Sequence, residues 1–173
     1  MRAGLVMFIL VGVVATARPA GAQETGQVGL TMAFPAAVGV IWHATDGLAI
    51  RPDFTFSQSG SNSFTTSSTS VGVGVSALFY VRKWDNLRAY LSPRFGYQRS
   101  SFTSAGSSLS SPSTITNSGS GSFGAAYLLH RRFAIYAEAG LAYSHTRSPS
   151  SISVDSSSHS WGTRAGVGAI LYF

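Results

Sequence analysis

The C-terminal stretch Trp161-Gly162-Thr163-Arg164-Ala165-Gly166-Val167-Gly168-Ala169-Ile170-Leu171-Tyr172-Phe173 decides how this chain is built. Its odd positions read Trp161, Thr163, Ala165, Val167, Ala169, Leu171 and Phe173; its even positions read Gly162, Arg164, Gly166, Gly168, Ile170 and Tyr172. Side chains on a strand point to opposite faces in turn, so this is a strand whose two faces meet different surroundings. One face is almost wholly apolar and ends in an aromatic ring. The other is rich in glycine and holds a charge.

Five further segments repeat the pattern. Val71, Val73, Val75, Ala77, Phe79 and Val81 oppose Gly72, Gly74, Ser76, Leu78 and Tyr80. Phe133, Ile135, Ala137, Ala139, Leu141 and Tyr143 oppose Ala134, Tyr136, Glu138, Gly140 and Ala142. Leu48–Phe56, Ala89–Tyr97 and Gly119–Leu129 alternate in the same way, with Leu48, Ile50, Pro52, Phe54 and Phe56 on the apolar side of the first and Ala89 on the apolar side of the second. No segment after residue 22 has the 3.6-residue stripe of an amphipathic helix. The mid-strand charges Arg51, Asp53, Arg94, Glu138 and Arg164 all fall on the polar face. A bilayer enforces that segregation, because a lipid-facing Arg or Lys at mid-membrane costs about 2–4 kcal/mol.

Composition says which face is outside. Only 10% of the 173 residues are charged, against about 25% in ordinary soluble domains. Yet mean hydropathy is +0.19, too high for a disordered chain. The polar faces carry Gly, Ser and Ala rather than the Lys and Glu of a soluble exterior, which suits a narrow interior. Aromatic residues gather at two levels of the apolar face: Trp42, Phe79, Tyr127, Phe133 and Phe173 at one, Phe34, Tyr97, Tyr143 and Trp161 at the other. Two such girdles mark the interfaces of a membrane barrel. With no cysteine there is no disulfide framework, thiolate metal site or cysteine nucleophile.

The N-terminus reads as an export signal. Met1-Arg2, an apolar run from Gly4 to Ala17, and Ala20-Gly21-Ala22 supply the positive start, apolar core and small-x-small end. Residues 1–22 are expected to be removed, leaving a mature chain of residues 23–173. Arg2 and Arg18 leave with the signal, so the net charge of +6 falls to +4. With one lysine and no basic run longer than two, no nucleic-acid partner is expected.

Turns set the strand count. Short ones lie at Thr45-Asp46-Gly47, Lys83-Trp84-Asp85-Asn86 and His130-Arg131-Arg132. Long Ser/Thr/Gly-rich connections lie at Ser57–Ser70, Ser100–Asn117 and Arg147–Ser158. Short periplasmic turns opposite longer extracellular loops are the outer-membrane pattern. Gln27–Thr45 is too long for one strand, which needs about 9–11 residues to span. Splitting it at Pro35-Ala36-Ala37 places Val28, Leu30, Met32, Phe34, Val38, Val40 and Trp42 toward lipid. The result is an all-β fold: an eight-stranded antiparallel up-and-down transmembrane β-barrel after a cleaved signal peptide, with both ends periplasmic.

The alternating strand Arg164–Phe173, the inward Arg/Asp/Glu cluster and the string Gly39-Val40-Ile41-Trp42-His43-Ala44-Thr45-Asp46-Gly47-Leu48-Ala49-Ile50-Arg51-Pro52-Asp53 carry a resemblance. The chain resembles the small eight-stranded outer-membrane β-barrels of the OmpX and OmpA-transmembrane-domain type. That resemblance implies the outer membrane of a Gram-negative-type bacterium, with outer-membrane lipid as surroundings. It also implies that the barrel-assembly machinery reads the terminal strand through Val167, Ala169, Leu171 and Phe173. No peptidoglycan-binding domain follows Phe173, so wall anchoring is not expected.

An eight-stranded barrel leaves an interior that side chains fill. Arg51, Asp53, Arg94, Glu138 and Arg164 must share it with Tyr80, Tyr90 and Tyr136, so Glu138 and Asp53 are expected to bridge the arginines. The cluster reads as a structural plug, and the alternative is a narrow ion path. Catalysis has little support, although His159-Ser160 beside Asp155 permits the alternative of a membrane-embedded lipid-modifying enzyme. No metal-ligand spacing and no cofactor motif is present; Gly72–Gly74 and Gly119–Gly121 lie in strands, not before a helix. The expected role is that of a non-catalytic, monomeric surface protein whose serine-rich loops meet an extracellular ligand.

Overall fold

The computed structural model describes residues 25–35, 37–61, 66–104, 113–148 and 156–173. Residues 1–22, expected to be an export signal, lie outside them. Eight strands follow in order: β1 (Val28–Phe34), β2 (Ala37–Thr45), β3 (Leu48–Ser61), β4 (Thr66–Lys83), β5 (Leu87–Ser104), β6 (Ser113–His130), β7 (Phe133–Ser148) and β8 (Ser156–Tyr172). Each pairs antiparallel with its neighbours, and β1 pairs with β8 to close the barrel. Closure leaves every strand of the closed section with two neighbours, which is what a sheet in lipid requires.

The stagger of the strands can be read from their partners. Stepping across the ring from Thr31 leads through Gly39, Asp53, Gly74, Gly96, Ser118 and Ser144 to Ser160. Thr31's direct partner on β8 is Ile170, ten residues from Ser160. The register therefore climbs by ten residues per circuit, and a climb of that size sets a tilt of about 40°.

The face assignment holds along the chain. Val167, Leu171, Phe133, Ile135, Leu141, Phe95, Val73, Phe54, Val40 and Met32 are exposed on the outside, a belt of apolar surface suited to lipid rather than water. Ile41, Leu78, Tyr80, Tyr90, Tyr136, Ile170 and Tyr172 are buried inside. Ala89 is the exception: expected outside, it is buried. It pairs with Arg82 across a bulge that skips Val81, and a bulge re-aims the side chains next to it.

Two expectations about length need correction. The Ser/Thr-rich stretches are mostly strand, because β3, β5 and β7 run on to Ser61, Ser104 and Ser148. Of these stretches, 62–65, 105–112 and 149–155 lie outside the described residues. Cross-strand hydroxyls also bond to one another in and beside these stretches. Ser70 and Ser100 lie 2.7 Å apart, Thr116 and Thr146 3.0 Å, Ser144 and Ser160 2.8 Å. Phe34 also fails to reach the level of Tyr97, Tyr143 and Trp161. The chain turns at Pro35 only six residues above Val28, whereas Trp161 stands twelve residues above Phe173, beside Val28. The predicted break at Pro35 is otherwise where β1 ends and β2 begins.

Candidate functional site

The lumen is filled from the short-turn end upward. At its floor His43 stacks on Tyr80 with ring centroids 5.8 Å apart and lies 5.7 Å from Tyr172. Tyr80 meets Tyr90 edge-on at 5.7 Å. Ile41, Leu78 and Ile170 fill the remaining space. Glycines on neighbouring strands make room for the rings: Tyr90 faces Gly124, Tyr136 faces Gly168 and Tyr172 faces Gly29. A Cβ on Gly124 would stand 2.6 Å from the Tyr90 ring, so only glycine lets the ring lie flat there.

Above the floor sit the charges. Arg51 donates from Nη2 to Glu138 Oε1 at 2.6 Å, and the Tyr90 hydroxyl donates to the same oxygen at 3.0 Å. Arg51 and Glu138 are only 4% and 6% exposed, and the Arg51 guanidinium lies 4.9 Å from the centre of the Tyr136 ring. Arg94 grips Asp53 at two points, Nε to Oδ2 at 3.0 Å and Nη2 to Oδ1. Its guanidinium crosses the places where Gly74 and Gly96 lack a side chain. Buried ions are stable only when paired and hydrogen-bonded, and the lumen meets that condition twice. Arg51–Glu138 and Arg94–Asp53 are the two ion pairs among the described residues, and Arg164 is in neither.

The structure brings Arg51, Asp53, Arg94, Glu138 and Arg164 around one cavity, and each of the two acids bridges an arginine. A sixth was missed. Arg88, not among the five charges expected inside, is 2% exposed and shares the surroundings of His43, Tyr80 and Tyr172. The signal was present, since Arg88 has the parity of Tyr90, Ser92 and Arg94. The ion pairs border a cavity of about 240 Å³ lined by Arg51, Asp53, Arg94, Glu138 and Arg164 together with Phe34 and Pro35.

No protein-family model matches the chain, and no curated protein matches it. Solved structures do. The N-terminal β-barrel domain of Pseudomonas aeruginosa OprF is similar at 16% identity and TM-score 0.51, over 87% of this chain and 100% of that one. The fold is that of the small outer-membrane β-barrels. Ail, the attachment invasion locus protein of Yersinia pestis, has 15% identity and TM-score 0.46 over 85% of this chain and 94% of its own. A major outer membrane protein of Thermus thermophilus has 13% identity and TM-score 0.46 over 85% of this chain and 98% of its own.

In this eight-stranded barrel His159 and Ser160 are not directed toward a common site. His159 and Ser160 are consecutive residues of β8 and point to opposite faces; Ser160 pairs with Ser144 and His159 packs toward Tyr143. Asp155 lies outside the described residues. Among the described residues no three His, Asp or Glu side chains gather as a metal site would need. The outward residues of the terminal strand, Val167, Ala169, Leu171 and Phe173, form part of the apolar belt.

Proposed function

We propose that this chain is a non-catalytic protein of the bacterial outer membrane, a plugged barrel that holds three serine- and threonine-rich hairpins above the membrane to meet an extracellular ligand. One observation carries the reading. The hairpins β3–β4, β5–β6 and β7–β8 continue as paired strands beyond the apolar belt, so the polar segments are presented on a rigid base. Binding surfaces on a rigid scaffold keep their geometry with little ordering cost. The filled floor and the two ion pairs favour a plug over an ion path. Export by the residue 1–22 signal and assembly through the β8 strand complete the proposal.

Bacteria displaying the full chain are expected to adhere to cultured epithelial cells or to a glycan array. Deletion of residues 100–117 should abolish adhesion while the barrel still shifts on an unboiled gel. Equal adhesion by the deletion variant, or none by the full chain, overturns the binding role.

A further inference from the structure

The barrel wall is not equally tall all round. β1 has seven residues and β2 nine, while β3 to β8 have 14 to 18. Pairing of β1 with β8 stops at Phe34–Val167, and pairing of β2 with β3 stops at Ala37–Thr55. Above those points β8 and β3 have no partner on their facing edges among the described residues. Each keeps only its outer neighbour, β7 or β4. The gap spans three strand spacings, roughly 14 Å. Its height follows from strand geometry. At ~3.3 Å per residue and a tilt of about 40°, Phe34 lies roughly 15 Å above Val28 and Trp161 roughly 30 Å above Phe173. The apolar belt of such barrels is about 25 Å tall. The notch therefore cuts into the belt itself, in the leaflet on the hairpin side. Consistent with an open edge, β8 is exposed on both faces from Ser156 to Thr163, as is β3 from Phe56 to Gly60.

Two spaces meet at this notch. Inside is the polar cavity of about 240 Å³; outside, on the paired wall below the notch, an apolar groove of about 730 Å³ runs from Phe34 and Val167 at the rim past Met32 and Ile135 to Leu87 and Tyr127 near the short turns. Ala33, Phe34 and Tyr136 line both. The five charges at the cavity sum to one positive charge, three arginines against two acids. Each acid already holds its own arginine, while Arg164 is in neither ion pair and Arg51 Nη1 is buried without a hydrogen-bond partner. Uncompensated charge in a low-dielectric site is costly, and a single anion would balance it.

We propose that the notch binds an anionic amphiphile, a lipid or lipid-like molecule with a phosphate or carboxylate headgroup. The headgroup enters the lumen beside Arg164 and Arg51, and the acyl tail lies in the outer groove. The tail hangs over the Phe34 and Val167 rim toward the short-turn side, so the ligand reaches the site sideways from the bilayer interior, without passing the hairpin tips. An arginine suits the headgroup because its donors match a phosphate or carboxylate fork.

The test uses the purified full barrel in dodecyl maltoside micelles, titrated with dodecyl phosphate and, separately, with inorganic phosphate, while the amide resonance of Ala165 is followed. Dodecyl phosphate should give a saturable shift, and inorganic phosphate no shift at the same concentrations. Arg164→Gln should weaken binding at least about tenfold, as loss of a charge-assisted contact does. Gly166→Leu gives a second variant. A Cβ there meets only the Phe34 carbonyl oxygen at 3.5 Å, so the side chain fits and fills the mouth. It should remove the saturable shift, with heat-modifiable migration reporting that the barrel has folded. Equal shifts with inorganic phosphate, a linear rather than saturable response, or unchanged binding in both variants overturns the proposal.

Discussion

Glu138 accepts from both Arg51 and Tyr90 through one oxygen, so three strands depend on a single carboxylate. Glu138→Gln removes the charge and leaves the Arg51 guanidinium buried, and breaking a buried pair this way costs about 3–5 kcal/mol. Urea unfolding in lipid vesicles should show that loss. The double variant Arg51→Met/Glu138→Leu should recover most of it, since an apolar replacement leaves no buried ion behind. Glycine supplies a second prediction. A Cβ at Gly168 would stand 2.5 Å from the Met32 carbonyl oxygen and 2.6 Å from the Tyr136 ring, whereas Gly121 has open space. Gly168→Ala should therefore destabilise by about 1–3 kcal/mol, while Gly121→Ala stays within about 0.5 kcal/mol. Parity made the inward charges legible in the sequence, but not their pairing. Arg51 and Glu138 are 87 positions apart, and nothing in the chain said that Glu138 would choose Arg51 over Arg94. Arg88 was lost for another reason: beside a turn, a charged residue reads as solvated unless its parity is followed to the strand end.

The hairpins are elements of two kinds joined end to end. Their lower halves pack against lumen side chains, while their upper parts hold together by backbone pairing and hydroxyl contacts such as Thr114 with Ser148 at 3.1 Å. Cross-strand pairs of this kind contribute about 0.2–1 kcal/mol each. Amides from Ser113 to Asn117 and Thr146 to Ser148 should consequently exchange with deuterium well before those from Phe123 to Tyr127 and Ile135 to Ala139. Uniform protection along β6 and β7 would contradict this layering. The strand character of the upper parts was hidden in the sequence because alternation is visible only when the faces differ in polarity. Where both carry Ser and Thr, as in 100–104, the period leaves no trace. The β1–β2 break was legible for the opposite reason, since Pro35 interrupts an otherwise regular apolar face.

At the scale of the molecule, a closed hydrogen-bonded ring resists detergent until heated. The unboiled protein should migrate differently from the boiled one, and a single band under both conditions would contradict the barrel. The stacked floor of His43, Tyr80, Tyr90 and Tyr172 leaves no wide passage, so planar-bilayer recordings should show no steady, large channel. Eight strands and their direction could be counted from turns and parity alone. The uneven height of the wall could not, because it needs the true lengths of β3 to β8, and those depend on the Ser/Thr segments whose pairing was silent.

The ten-residue climb of the register has one more consequence, for how this wall can change over time. Girth is fixed jointly by strand number and climb. A single-residue insertion in the closed section reverses every side chain beyond it, putting arginines into lipid and valines into the lumen. A two-residue insertion keeps the faces but alters the climb, and with it the bore that the tyrosines and ion pairs must fill. Length changes in this chain should therefore accumulate in the hairpins above the belt, while the closed section varies by substitution alone.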